Sequence, residues 1–153
     1  FKTGKCIIND CVNEFLEKAA EADGFVFGTP VHYAAASGQL VSFMHRVFYG
    51  KSHIFRGKPG AAVVSCRRGG AATAFDQVNK YFTISGMPVV SSQYWNQVHG
   101  STPEQVLQDG EGMQTMRTLG NNMAWLLKCI EAGREKGILF PEGESPIRTD
   151  FIR

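Results

Sequence analysis

The sequence predicts one α/β domain in which helices cover a parallel sheet. Short apolar runs typical of strands alternate with segments of helical periodicity, an order that favours parallel strands joined by right-handed crossovers. The first two apolar runs each lead into a Gly-rich loop that opens the next helix. A length of 153 residues and a hydrophobic fraction of 43% fit a single domain that buries a core. We therefore expect a doubly wound sheet between two layers of helices.

The first predicted elements are two helices with a strand between them. Apolar side chains from Val12 to Ala20 recur at helical spacing and predict a helix over 10–22, with Asp10 or Asn9 as its N-cap. A strand at 24–28 follows at once. A second apolar stripe predicts a helix that begins at 37–38 and ends at Gly50.

The second half continues the alternation. The uninterrupted apolar run at 61–65 is typical of a strand buried on both faces, and it is followed by a predicted helix over 71–85. Thr102 and Pro103 are typical of a helix start. The remaining predicted elements are a third strand, a loop, a short helix, a long helix and an extended tail, at 87–91, 93–100, 103–108, 112–136 and 138–153.

The predicted sheet has fewer strands than its fold class normally has. A doubly wound sheet usually contains about five strands, whereas this sequence predicts three. The chain also begins at Phe1, with no strand before its first helix. We therefore expect that it is the carboxyl portion of a longer protein and lacks the first βαβ portion of the fold.

Composition excludes several classes of function. The net charge is +2 without a basic run, so a nucleic-acid partner is not expected. No apolar run approaches the length of a membrane span. Four irregularly spaced cysteines favour reduced thiols and a cytoplasmic location over a disulfide framework. Cys6 and Cys11 could still be the last members of an iron–sulfur ligand set, which usually needs four thiolates. No histidine has the spacing of a zinc ligand, so no metal site is predicted.

The first Gly-rich loop is a candidate binding segment. Thr29 and Pro30 are expected to break the strand and turn the backbone. The three alanines that follow leave the main chain uncovered, so that a ring could lie against it. His32 and Tyr33 could stack on such a ring or donate hydrogen bonds to it. The alternative is a strand-to-helix turn that only packs.

The second Gly-rich loop is a candidate for the same edge of the sheet. Gly69 and Gly70 permit a ligand to approach the backbone closely. Arg67 and Arg68 could stabilise negative charge on that ligand, or they could be solvated surface residues. Cys66 is expected to pack rather than react, because the arginine that a phosphatase loop needs six residues after its cysteine is Ala72 here.

A third loop, with Tyr94 and Trp95, would reach the same crevice, or it would serve as an anchor or subunit contact. Small residues, aromatic rings and backbone amides together suit a flat, hydrogen-bonding ligand such as a flavin.

The run from Gly28 to Leu40 resembles the NADPH-dependent FMN reductase family of flavodoxin-like proteins, which carry a similar G-[ST]-P-x-[YH]-x-x-x-x-S-G-x-L pattern. The run from Ser65 to Ala71 looks like their second flavin loop, and the closing residues from Ile147 are similar to tails in one bacterial branch. Cys6 resembles the last cysteine of a cysteine-rich segment found in some members, including the iron–sulfur flavoproteins.

The resemblance implies a flavodoxin-like, three-layer αβα fold and an enzyme that binds FMN. It would accept electrons from NADPH or NADH and pass them to a small-molecule acceptor, which could be a flavin, a quinone, a nitro compound or an azo compound. A homodimer is also implied. The alternatives are an electron-transfer protein of the flavodoxin or iron–sulfur flavoprotein type and an inactive fragment of the fold. The implied cofactor-binding residues are Thr29, Pro30, Val31, His32, Tyr33, Ser37, Gly38, Ser65, Cys66, Arg67, Arg68, Gly69 and Gly70.

One part of the family pattern has no counterpart in this sequence. The family's FMN-phosphate loop, a turn after its first strand, is absent here. Phosphate contacts at a helix start usually give FMN much of its affinity. We therefore expect this chain, as written, to bind FMN poorly or not at all.

Overall fold

The computed structural model describes residues 5–149 and residue 151. Four strands and five α-helices lie in that part of the chain, with a short 3-10 turn at Ser52–Ile54. The strands are β1 (Phe25–His32), β2 (Ala35–Ala36), β3 (Gly60–Cys66) and β4 (Gln97–His99). The helices are α1 (Cys11–Glu21), α2 (Gly38–Lys51), α3 (Ala71–Ile84), α4 (Pro103–Gln108) and α5 (Gly110–Glu135).

The sheet has the strand order β2-β1-β3-β4, and its two main pairings are parallel. β1 runs beside β3 from the pair Phe25–Gly60 to the pair Pro30–Ser65. The predicted parallel sheet is therefore confirmed. Because β1 and β3 run in the same direction, the loops that follow them emerge at one edge of the sheet.

Helices cover the two faces of the sheet unequally. One face carries the main core, in which the rings of Phe25 and Phe27 pack with Phe55 and Phe82 beneath α1, α2 and α3. A smaller cluster lies on the other face, where Ala61 and Val90 meet Leu119 of α5. On this second face the β1 side chain of Val26 is 59% exposed.

Side-chain caps are present at the predicted starts of α1 and α4, whereas α5 begins at Gly110, two residues before the predicted start at 112. Asp10 accepts a hydrogen bond from the Val12 amide at the start of α1, and Thr102 accepts one from the Gln105 amide at the start of α4. The predicted stop at Gly50 is wrong by one residue, because α2 continues to Lys51 and passes directly into the 3-10 turn.

The third predicted strand is in the wrong place. Between 87 and 91 only Val89 forms a bridge, opposite Gly60, and the chain then leaves the sheet. The Ser92 hydroxyl contacts the Tyr94 carbonyl oxygen at 2.6 Å and the Asn96 side-chain oxygen at 2.7 Å, and these local hydrogen bonds compete with strand pairing. The chain rejoins the sheet as β4, within the segment that was predicted to be a loop.

The described tail beyond residue 137 contains no helix or strand, as predicted. It is held at the end of the sheet opposite to the Gly-rich loops, where Arg56 lies over the Phe140 ring and donates a hydrogen bond to the Pro141 carbonyl. Within residues 5–149 and 151, no helix combines the length and apolar character needed to cross a membrane.

Candidate functional site

The first Gly-rich loop forms a β-hairpin, which corrects the predicted break at Thr29 and Pro30. β1 continues through both residues to His32, and the chain reverses at Tyr33 and Ala34. Both turn residues have positive φ, at 50° and 57°, the pattern of a two-residue type I′ turn. Neither residue is the Gly or Asn that normally marks such a turn, so no local residue pattern predicted it. Positive φ at non-glycine residues is a strain that concentrates at functional sites.

Two polar side chains hold this hairpin in position. The buried Thr29 hydroxyl accepts a hydrogen bond from the Ser37 amide at 2.9 Å and contacts the Pro30 carbonyl oxygen at 2.9 Å. Gln77, on α3, accepts a hydrogen bond from the Ala36 amide at 3.0 Å. Thr29 thus positions the backbone from inside. Gln77 was missed by the sequence analysis because it lies 41 positions from its partner.

The structure brings the two predicted loops into contact. Gly70 has a φ of 89°, and a β-carbon there would lie 2.7 Å from Ala34 Cα and 3.1 Å from Val31 Cγ1. The hairpin tip therefore rests on the glycine backbone at the start of α3. Gly69 faces the other way, with no atom within 4 Å of the place that a β-carbon would take. Together the loops form a shelf that is open above Gly69.

Two helix starts at this shelf have no side-chain cap. α1, α4 and α5 are capped by Asp10, Thr102 and Asp109. By contrast, neither Ser37 at the start of α2 nor Gly70 at the start of α3 makes a side-chain cap hydrogen bond. These are the two helices that follow the Gly-rich loops. Uncapped amides and the positive ends of helix dipoles favour an electron-rich or anionic group at this edge.

The predicted site residues divide into exposed and buried groups. Those on the open side are Pro30, His32, Tyr33, Gly38, Arg67, Arg68 and Gly69. Half-buried between them are Val31, Ser37, Ser65 and Gly70. Thr29 and Cys66 are buried, and burial raises the pKa of the Cys66 thiol, so this side chain stays protonated. Arg67 and Arg68 make no ion pair with any residue that the structure describes, which leaves their guanidinium groups available.

The third loop and β4 extend the same edge of the sheet. Tyr94 and Trp95 are about half exposed, and their ring centroids are 5.3 Å apart. His99 lies beside Cys66 in the sheet register. Asp109 accepts hydrogen bonds from the Gly112 amide at 3.0 Å and the His99 amide at 2.7 Å, and these bonds lower the pKa of its carboxyl group. His99 and Asp109 were not predicted.

The described residues do not form an iron–sulfur site by themselves. No group of three or more His, Cys, Asp or Glu side chains within residues 5–149 and 151 could hold a metal ion. Cys6 instead accepts a hydrogen bond at its Sγ from Arg46 Nη2 at 3.2 Å, and Asp10 fixes that guanidinium at 2.6 and 2.8 Å. This contact lowers the pKa of the Cys6 thiol.

Comparisons with known proteins agree with the sequence resemblance. The model of the family described as NADPH-dependent FMN reductase matches residues 1–101. An iron–sulfur flavoprotein of Methanocaldococcus jannaschii is 35% identical over 136 residues, which are 84% of this chain and 70% of that protein.

Solved structures share the fold at lower sequence identity. The apo form of an NADH:FMN oxidoreductase has a TM-score of 0.61 at 18% identity, and the match covers 80% of this chain and 63% of that one. An archaeal flavodoxin has a TM-score of 0.52 at 19% identity, covering 74% of this chain and 71% of that one. The predicted flavodoxin-like fold is confirmed.

Proposed function

This chain belongs to the NADPH-dependent FMN reductase family, and on that basis we propose that it binds the ring of FMN on the shelf between its two Gly-rich loops. The bound flavin would take electrons from NADPH or NADH and pass them to a small-molecule acceptor. Flavin, quinone, nitro and azo compounds are the acceptor classes that we propose. The family is one of flavin-dependent oxidoreductases.

The observation that carries this proposal is the pair of uncapped helix starts beside an open glycine. α2 and α3 both direct amides without side-chain partners toward the shelf, and Gly69 leaves the space above it free. A flat, electron-rich ring suits that surface because it can lie against backbone and accept hydrogen bonds along its polar edge. These features fit a flavin ring, whereas the family's FMN-phosphate loop has no counterpart in this sequence.

Each part of the shelf has a distinct role in this proposal. The hairpin tip at Tyr33 covers one side of the ring, and Thr29 and Gln77 keep that tip in place from below. Arg67 and Arg68 supply positive charge near the polar edge, which stabilises negative charge on a reduced ligand. FMN, when bound, supplies the electron chemistry, and the protein supplies position and electrostatics.

Flavin titration tests the proposal directly. The chain is titrated with FMN and separately with riboflavin, and ring fluorescence reports binding. We expect saturable, weak binding of both, with reduction of the bound flavin by NADPH or NADH under anaerobic conditions. The double variant Arg67→Ala/Arg68→Ala should lower the reduction rate, whereas Arg148→Ala, in the exposed tail, should not. Absence of any flavin binding at saturating ligand would contradict the proposal.

An electron-transfer protein of the iron–sulfur flavoprotein type is the second candidate. Two observations favour it. Arg46 donates a hydrogen bond to the Sγ of Cys6 beside the start of α1, and the archaeal relative is an iron–sulfur flavoprotein. Iron and labile sulfide assays on the purified protein separate the two candidates. Stoichiometric iron and sulfide would favour electron transfer, and their absence would favour the reductase.

The homodimer implied by the resemblance and the cytoplasmic location favoured by the cysteine pattern stay predictions. Light scattering during size-exclusion chromatography measures the oligomeric state. A mass of one chain across the tested concentrations would contradict the homodimer.

A further inference from the structure

A small cavity lies beside β4, between the third loop and the first turns of α5. Its volume is about 140 Å³, and no residue of the two Gly-rich loops, all of which the structure describes, lines it. A water molecule takes about 30 Å³ in the liquid, so the cavity has room for a group of a few heavy atoms rather than for a whole cofactor. It is therefore a candidate site for the head group of a small molecule.

The close approach of α5 to β4 forms this cavity. Gly112, in the first turn of α5, is buried, and a β-carbon there would lie 3.1 Å from the Gln97 carbonyl oxygen. The helix therefore lies directly against the strand. Asp109 fixes this contact, because its carboxylate accepts hydrogen bonds from the His99 and Gly112 amides at 2.7 and 3.0 Å.

One polar group at the cavity has no partner in the chain. Thr115 lines the cavity and is only 2% exposed, and its hydroxyl makes no hydrogen bond with any residue that the structure describes. The hydroxyl oxygen nevertheless keeps a small accessible area. Buried hydroxyl groups are normally paired, so Thr115 indicates a polar group that enters the cavity from outside the chain.

The charge that lines the cavity is negative. Glu111 lies one helical turn before Thr115, so both side chains are on the same face of α5. Its carboxylate makes no ion pair within the described part of the chain. Asp109 adds a second carboxylate, and the two amides that bond to it lower its pKa, so it is ionised at neutral pH. Among residues 5–149 and 151, no lysine or arginine lines the cavity, and a cationic ligand is therefore favoured.

The third loop gives the cavity an aromatic wall. Tyr94 and Trp95 both line it, and they are 55% and 52% exposed, so part of each ring is open to a ligand. The Ser92 hydroxyl contacts the Tyr94 carbonyl oxygen at 2.6 Å and holds this part of the loop in place. An aromatic ring attracts a cation that lies within about 6 Å of its centroid, and tryptophan does so most strongly.

We propose that this cavity binds the head group of a small primary amine in its ammonium form. The N–H groups of the ammonium donate hydrogen bonds to the Thr115 hydroxyl and the Glu111 carboxylate, and the open face of Trp95 attracts its charge. The alkyl part of the amine extends into solvent. The proposal is independent of the flavin chemistry, because no residue of the shelf takes part in it.

Two probes of similar size that differ in charge test this site. Butylammonium and 1-butanol are each titrated into the full chain at neutral pH and constant ionic strength, and NMR follows the indole N–H resonances. The chain has two tryptophans, and Trp125 does not line the cavity, so its resonance is an internal control. We expect butylammonium to shift the Trp95 resonance in a saturable manner, whereas 1-butanol should bind about tenfold more weakly or less, since it makes no charge-assisted hydrogen bond.

Two variants each remove one contact and keep the shape of the side chain. Thr115→Val should lower the affinity for butylammonium about three- to tenfold, the loss of one hydrogen bond. Because this hydroxyl has no partner in the free chain, the same variant should not lower the urea midpoint of unfolding, whereas loss of a hydroxyl that supports the fold would lower it.

Glu111→Gln removes the charge at the cavity and should lower the affinity for butylammonium about two- to fivefold, with no effect on 1-butanol. Glu131→Gln is the matched control. Glu131 is exposed on the same helix, about 30 Å further along its axis, so its replacement should change neither affinity.

Three results would overturn the proposal. The first is equal affinity for the two probes. The second is an unchanged affinity for butylammonium in both Thr115→Val and Glu111→Gln. The third is displacement of butylammonium by riboflavin, which would assign the cavity to the flavin site.

Discussion

Replacement of Gly70 by alanine tests how the two loops are joined. A β-carbon at this position would lie 2.7 Å from Ala34 Cα and 2.9 Å from Ala34 Cβ, and the residue would keep a φ of 89°. The left-handed conformation costs a non-glycine residue about 1–2 kcal/mol. Overpacking against a backbone atom costs about 1–3 kcal/mol more. The loss of backbone freedom in the unfolded chain offsets about 0.4–1 kcal/mol of this.

We therefore expect Gly70→Ala to lower the free energy of unfolding by about 1–4.5 kcal/mol. At a slope of about 2 kcal/mol per molar urea, the midpoint of unfolding falls by about 0.5–2 M. Equilibrium urea unfolding, followed by circular dichroism, measures the change.

The neighbouring glycine provides the matched control. Gly69 has open space around its α-carbon, so Gly69→Ala should change the free energy of unfolding by less than about 0.5 kcal/mol. Its new methyl group should nevertheless weaken flavin binding, because it occupies the space above the shelf. Equal stability losses in the two variants would refute the contact between the loops as the reason for Gly70.

Three further predictions address charge, phosphate and pH. Arg67→Ala and Arg68→Ala together should slow flavin reduction about tenfold or more while the urea midpoint stays unchanged, since a charge-assisted hydrogen bond is lost from an exposed position; unchanged turnover would return both arginines to the solvated surface. FMN and riboflavin should bind this chain with similar affinity by calorimetry, because the family's phosphate loop has no counterpart in its sequence, and tight one-to-one binding of FMN alone would contradict that reading. Asp109→Ala should lower the free energy of unfolding by about 1 kcal/mol near neutral pH, where the ionised carboxylate caps α5. The pKa of the Asp109 carboxyl group is lowered in the folded protein, so this stabilisation is present above the pKa of an unfolded aspartate, about 3.9, and is lost as the pH falls below that value. A stability difference between wild type and variant that persists at low pH would show that the charge of Asp109 is not involved.

Local patterns predicted much of the fold because they act within a few residues. Residue type indicated Thr102 as one cap and left Asp10 or Asn9 as the other, and the structure shows the hydrogen bonds that Asp10 and Thr102 accept. Helical spacing gave the bounds of α3 to within one residue. The continuous apolar run at 61–65 matched β3 because a strand covered on both faces needs no polar alternation.

Predictions failed where distant partners decided the outcome. Val89 has the residue type of a strand, but Gly60 offers it a single bridge before Ser92 and Asn96 turn the chain away. Pro30 was predicted to break the first strand, yet it lies within β1 and is paired in register with Ser65 of β3. The other edge of β1 pairs only with the two-residue strand β2, and a proline is tolerated at such an edge.

By itself, the sequence determined the α/β class, the order of the helices and the two Gly-rich loops, since periodicity, caps and glycine act through neighbouring residues. The tertiary structure alone decided that the loops touch, through Gly70 and Ala34, and that Gln77 supports the hairpin from 41 positions away. It also decided which helix starts are left without a side-chain cap. Those properties depend on packing between segments far apart in the chain, and no local pattern of residues encodes them.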